Sequence, residues 1–412
     1  MKTDLDILMQ ENNLDAILVT GPAQHNPAMV YLTGGGHLTN ADLIKKRGEE
    51  AVLFYNPMER DEAAKSGLKT KNLADYKFND LLKQTQGDHL KATIKRYQLM
   101  FNEHGVTSGR VALYGRSEIG TNYAIFSGIQ QEMPGVNLVG ELNNSVLMQA
   151  RMTKDDAEVE RIRKMGKITT QVVGQVADFL TSQTVKDGKL TKADGQPLTI
   201  GDVKSRINLW LAERGAENPE DTIFTIGRDA GVPHSSGTAG DFLKLGQTIV
   251  FDIYPCEAGG GYFYDFTRTW CLGYAPDNVM ALYENVYSVY NNVTSKLKVG
   301  IAFKQYQQLA CELFESQGHP TIKDNPQIQT GYVHSLGHGI GLNIHERPWS
   351  GINADDKDCL VPGAVFTIEP GLYYPEKGMG VRLENSLWVR PDGQMEVLAD
   401  YPMDLVLPIK GS

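Results

Sequence analysis

Two aspartates sit where carboxylates are costly. In residues 250–270, VFDIYPCEAGGGYFYDFTRTW, Asp252 lies between Phe251 and Ile253, and Asp265 lies between Tyr264 and Phe266. A lone carboxylate in an apolar run costs several kcal/mol of desolvation unless a cation or donors compensate it, so two on one stretch point to a shared cation. Two later stretches add donors. HSLGHGIGLNIHERP places His334, His338 and His345 in a glycine-rich run, and FTIEPGLYYPEKGMGVRLENSLWV carries Glu369 and Glu384, each on an apolar strand. Together they supply four carboxylates and at least one imidazole, a donor set suited to Mn, Co, Zn or Fe(II). No cysteine joins it, which argues against a structural zinc knot. Four carboxylates carry more charge than one divalent ion needs; two ions ~3.5–4 Å apart, sharing bridging carboxylates, would balance it and hold a nucleophilic hydroxide.

Such a constellation needs a large scaffold. At 412 residues the chain exceeds one compact core, so two domains are expected. Its 41% hydrophobic and 22% charged residues are those of an ordinary globular protein, which excludes disordered and fibrous classes. A net charge of -10 disfavours a nucleic-acid partner, which would need a basic face. Cys256, Cys271, Cys311 and Cys359 are widely spaced with no CxxC pair, and read as reduced thiols. The first residues are acidic where a signal peptide is basic, and no stretch approaches the ~20 apolar residues of a membrane span. The expected location is the cytoplasm, with no membrane partner.

In residues 1–150, strands are expected at 15–20, 29–33, 51–55 and 110–114, with helical patterns at 79–83 and 90–100. Strands alternating with helices predict an α/β domain. His25, His37, His89 and His104 form no ligand cluster with acidic residues there, so a structural, oligomer-forming or pocket-rim role is expected. Residues 151–412 form the second domain. Its first element is a long amphipathic helix with Thr153 and Asp156 as a capping box. Residues 183–197, with Asp-Gly twice, read as an exposed hairpin or loop whose removal leaves the core intact, and helices follow at 200–214, 278–298 and 303–317. Residues 250–270 read as two strands around a glycine-rich turn. That turn is no phosphate loop, since no Gly-Lys-Ser/Thr follows. Cys256 and Cys271 are assigned to packing. Glu346, beside His345, cannot point the same way in a strand and is read as a supporting or surface residue.

FDIYPCEAGGGYFYDFTRT, GHGIGLNIHE, TIEPGLYY and GVRLENSLWV resemble, in this order, the signature blocks of the pita-bread metallopeptidases, the M24 group of methionine aminopeptidase, aminopeptidase P, prolidase and creatinase. The resemblance spans about residues 151–405. It extends more weakly to the first domain, where LDAILVTG and YLTGG look like the creatinase/prolidase-type domain that accompanies aminopeptidase P and prolidase. It implies an α+β architecture, a C-terminal pita-bread domain preceded by a smaller N-terminal α/β domain. By matching motif it implies Asp252, Asp265, His338, Glu369 and Glu384 as ligands of two divalent ions, manganese first, with Asp265 and Glu384 bridging. Glu369 would shuttle the proton. His234 and His345 would act in catalysis, while His334 and Arg382 would bind substrate. Arg382, two residues before Glu384, would share its strand face and orient that carboxylate or bind substrate. The thirteen positions from Asp252 to Asp265 exceed the family's usual hairpin by about two, which keeps side-chain parity.

The expected activity is removal of the N-terminal residue from peptides with proline second, by a homodimer or larger homo-oligomer. A strict Xaa-Pro dipeptidase is the rival within the family, and a non-catalytic peptide- or protein-binding module is the rival from another class.

Overall fold

The computed structural model describes residues 2–142 and 144–409. The chain divides into two compact units, residues up to 151 together with 259–261, and residues 152–258 together with those from 262 onward. Among the described residues, no helix is long and apolar enough to cross a membrane.

The first unit is built on a mixed six-stranded sheet in the order Lys69–Asn72, Val52–Tyr55, Ala41–Lys46, Ala16–Gly21, Gly109–Gly115, Val136–Val139. Ala16–Gly21 is buried along its whole length, as a central strand covered on both faces must be, and pairs parallel with Gly109–Gly115 and antiparallel with Ala41–Lys46. The helix His89–Glu103 packs Ile94, Tyr97, Met100 and Phe101 into the core of this unit. The strand expected at 29–33 is instead a helix, Pro27–Thr33. Asn26 caps it by accepting from the Met29 amide, Pro27 opens it, and Gly34 closes it at φ +83. A short apolar run does not itself distinguish the two structures, and here the proline and glycine decide. The strand Ala41–Lys46 was not anticipated.

In the second unit the long helix runs over Asp156–Thr181. Its capping box is Asp155 with Glu158, not Thr153 with Asp156. Thr153 is still extended, bridged to Ala364, so the helix cannot begin until the chain has left that bridge. Residues 184–191 form a hairpin turning at Asp187 and Gly188, both at positive φ. Its tip is exposed, but Leu190 is fully buried, so the segment contributes to the core that it was expected to leave intact.

Two sheets carry the chemistry. One has the order Ile223–Ile226, Thr248–Ile253, Phe266–Leu272, Val406–Leu407; the other has Glu346–Trp349, His338–Gly339, Val365–Ile368, Asn385–Val389, Met395–Val397. The helices Asp277–Thr294 and Phe303–Ser316 share one apolar core with the second sheet and with the ribbon Gly371–Tyr374/Met379–Arg382. Cys256, Cys271 and Cys311 are free and buried, and Cys359 is half-buried.

Candidate metal centre

Strand register sets the first three side chains. Thr248–Ile253 pairs antiparallel with Phe266–Leu272 so that Asp252 lies opposite Thr267. Cross-strand partners share a face, and Asp265, two residues before Thr267, lies on that face as well. The long turn between the aspartates therefore leaves their relation intact. Glu384 arrives from the second sheet: its amide donates to the Thr267 carbonyl at 3.1 Å, and the Thr267 hydroxyl donates to Glu384 Oε2 at 2.7 Å. Glu369 and Glu384 do not sit inside strands as expected. Each lies at a strand end, just after Val365–Ile368 and just before Asn385–Val389.

His338 completes a tight cluster. Ligand-type atoms of Asp265, His338 and Glu384 all lie within 4.8 Å of one another, and all three residues are buried. His338 Nδ1 donates to the Gly339 carbonyl at 3.0 Å, so in the neutral ring Nε2 carries a lone pair. Nε2 faces Asp265 Oδ2 and Glu369 Oε1, each at 3.5 Å. Burial holds the His338 pKa down to about 3, and the nearby His345 adds to the effect. The result is a set of acceptors facing each other with no donor between them among the described residues. Asp252 Oδ1, Asp265 Oδ1 and Glu384 Oε1 are likewise buried with no hydrogen-bond partner among the described residues. Burial first, then the neighbouring carboxylates, push the carboxyls of Asp265 and Glu369 well above the usual range, and Glu384 up to about 8. Each feature is what a divalent cation would relieve, so the donor set fits one.

Arg382 is the cluster's buried counter-charge. It is expected to orient Glu384 or bind substrate; its Nη2 donates to Asp252 Oδ2 at 2.5 Å, and Glu384 lies beyond the end of the strand Met379–Arg382 that carries it. Its Nη1 donates to Tyr373 Oη at 2.7 Å and to the Pro233 carbonyl at 3.2 Å. The Tyr373 hydroxyl, having accepted from Arg382, donates to His334 Nε2 at 2.8 Å, and His334 Nδ1 donates to the Ser335 carbonyl at 2.7 Å. His334 is thus neutral with both ring nitrogens engaged, and burial brings its pKa to about 3. His345 lies against His338 edge to face, with ring centroids 4.3 Å apart, and is open to the cavity, as is His234. Glu346 is neither a second ligand site nor a surface group. It is fully buried and paired with Lys154 at 3.2 Å, while its other oxygen accepts from the Asn343 amide at 2.9 Å, fixing the loop that carries His345.

All nine residues singled out from the sequence line one cavity of about 410 Å3 in the second unit. Sequence reasoning missed Thr267, which the two-residue period from Asp265 would have flagged, and Tyr373. It also missed Glu220 on the same wall, and the apolar surface of Tyr254, Ile344 and Trp349. Arg268 was missed too. It is fully buried with no carboxylate partner among the described residues: it donates to the carbonyls of Thr267 and Glu384 at 2.9 and 2.8 Å, to Asn385 Oδ1 at 3.0 Å, and to the carbonyls of Tyr401 and Pro402 at 2.8 and 2.9 Å. Burial lowers its pKa to about 10.

Comparison with known proteins gives a consistent picture. The sequence profile of metallopeptidase family M24 matches residues 160–391. The chain is 26% identical over 387 residues to an Xaa-Pro dipeptidase of Pyrococcus furiosus, covering 93% of each chain. An Xaa-Pro dipeptidase of Pyrococcus horikoshii is 25% identical, again with 93% of each covered. The fold matches a solved Xaa-Pro dipeptidase from Bacillus anthracis with a TM-score of 0.73 at 20% identity, covering 98% of both chains. It also matches an X-Pro aminopeptidase from Thermotoga maritima with a TM-score of 0.72 at 22% identity, covering 95% of this chain and 97% of that one.

Proposed function

The chain belongs to metallopeptidase family M24, and on that premise we propose that it is an exopeptidase hydrolysing the bond between an N-terminal residue and a following proline. One observation carries the reading of the site: the buried, unpartnered oxygens of Asp252, Asp265 and Glu384 gathered beside the lone pair of His338. The preference for proline is supported by the activities named for the full-length Pyrococcus relatives. Asp252, Asp265, His338, Glu369 and Glu384 would hold the metal, proposed as two ions, with manganese ahead of cobalt, zinc or iron. When bound, such ions supply Lewis acidity and offset the carboxylate charge.

The remaining steps fall to the chain's own side chains. Glu369 is more open to the cavity than Asp265, its side chain being 16% exposed against 6%. It takes a proton from the attacking water and returns it to the proline nitrogen as the C–N bond breaks. That nitrogen is a secondary amine and leaves once protonated. His234 and His345, open to the cavity, offer N–H donors to the carbonyl oxygen as negative charge builds there. His334, with both nitrogens engaged, contributes ring surface. Arg382 fixes Asp252 and, through Tyr373, the His334 ring. The first unit, which holds none of these residues, is assigned a structural and oligomer-forming role, as a homodimer or larger assembly.

An aminopeptidase cleaving Xaa-Pro-Yaa is the first reading, and a strict Xaa-Pro dipeptidase the second, favoured by the names of the Pyrococcus relatives. Turnover of matched dipeptides and tripeptides across Mn, Co, Zn and Fe(II) separates them. Equal or better cleavage of the tripeptide supports the aminopeptidase; no tripeptide cleavage leaves the dipeptidase. A folded protein that retains no divalent ion and cleaves neither would sink both.

A further inference from the structure

One charged side chain in the wall of the cavity is used by none of the roles above. Glu220 stands on the loop between Ala216–Glu217 and Ile223–Ile226, is exposed, and has no hydrogen-bond or ion-pair partner among the described residues. The other charges of the wall are accounted for. Asp221, next in sequence, is paired with Lys204, and Arg382 is paired with Asp252. The four clustered carboxylates fit a cation. Tyr254, Ile344 and Trp349 give the same cavity an apolar surface of the kind along which the methylenes of a long basic side chain lie. Glu220 shares the wall of this cavity with His345 and Asp252.

We propose that Glu220 is a specificity-determining residue that selects peptides carrying a lysine or arginine side chain next to the proline. The proposal rests on the Xaa-Pro reading of the site. The ammonium or guanidinium meets the Glu220 carboxylate while its methylenes cover Tyr254 and Trp349. Two positions could supply that cation, the residue before proline and the residue after it.

The test is kcat/KM of the metal-loaded full chain on Lys-Pro against Leu-Pro and on Ala-Pro-Lys against Ala-Pro-Leu, at low and high salt. The basic member of at least one pair is expected to lead by about three- to fivefold, the scale of an exposed ion pair, with the lead shrinking as salt rises. The pair that shows it identifies the position read. Glu220→Gln should bring that ratio toward one, and Glu220→Lys should turn the preference toward Asp in the same place. Wild-type ratios in both variants, with cleavage persisting, overturn the proposal and leave the Xaa-Pro reading standing. No cleavage of any of the four peptides by the metal-loaded wild type removes the Xaa-Pro reading, and this proposal with it.

Discussion

The hydroxyl of Thr267 donates to Oε2 of Glu384 at 2.7 Å, while Oε1 of the same carboxylate is buried with no partner among the described residues. One oxygen is thus held by the protein and the other is left for a cation. Orienting partners of this kind are worth about 10–100-fold in metal affinity. Thr267→Val should weaken metal binding by that order with the fold retained, and Thr267→Ser should restore most of it. Metal titration by calorimetry reads both; equal affinity in the valine variant would show that the hydroxyl does not matter.

Asp265 makes the sharper case, since it lies against both His338 and the carboxylate cluster. Asp265→Asn keeps the shape and removes the charge. Metal occupancy after purification and peptide turnover should fall together, with the circular dichroism spectrum unchanged. Occupancy at the wild-type level would refute a ligand role for Asp265.

The metal-free protein should also have an unusual pH dependence. Burial and the Asp252 charge raise Glu384 from 4.5 to about 8. A carboxyl raised on folding binds its proton more tightly in the folded chain. It therefore contributes stability below the unfolded value, and that contribution is lost as pH rises through about 8. Chelator-treated protein should have a higher Tm near pH 6 than near pH 8.5, and Glu384→Gln should reduce the difference, Asp265 and Glu369 being raised as well. Added Mn should reverse the slope, because uptake displaces protons from the ligands. A metal-free Tm that rises from pH 6 to pH 8.5 would contradict this account.

Lys154 and Glu346 form an ion pair with side chains 2% and 0% exposed. Removing one partner of such a pair costs about 3–5 kcal/mol, because the other charge stays buried alone. Lys154→Met should lower stability by that order in denaturant unfolding. The double variant Lys154→Met/Glu346→Gln should recover most of the loss, since the amide still accepts from Asn343. A double variant as unstable as the single one would mean that packing, not charge, holds the loop.

The residues that line the candidate metal centre stood out in the sequence because each breaks a local rule, a carboxylate in an apolar run or a histidine among glycines. What supports these residues did not, because it is built from distant segments. Arg382 meets Asp252 across 130 positions, and Lys154 meets Glu346 across 192. No spacing in the sequence marks Arg382 as belonging to Asp252 rather than to its near neighbour Glu384. The misread helix at Pro27–Thr33 is of another kind: the proline and glycine that bound it were present, but its apolar run gave no period to follow. The overall α+β architecture, by contrast, could be anticipated from the ordered blocks, and the solved structures of similar fold bear it out.

Arg268 sets an order on how the centre can be assembled as the chain is made. It sits three residues after Asp265, yet four of the five residues that accept its hydrogen bonds lie beyond residue 383, and Tyr401 and Pro402 are 133 and 134 positions downstream. Until those residues have left the ribosome, the strand that carries Asp265 and Thr267 holds a guanidinium without its acceptors, and a buried charge left so is costly. The aspartate hairpin emerges early, but it cannot close into a dry site on its own. Metal capture by this cluster is therefore expected to follow the arrival of the chain's distal segments.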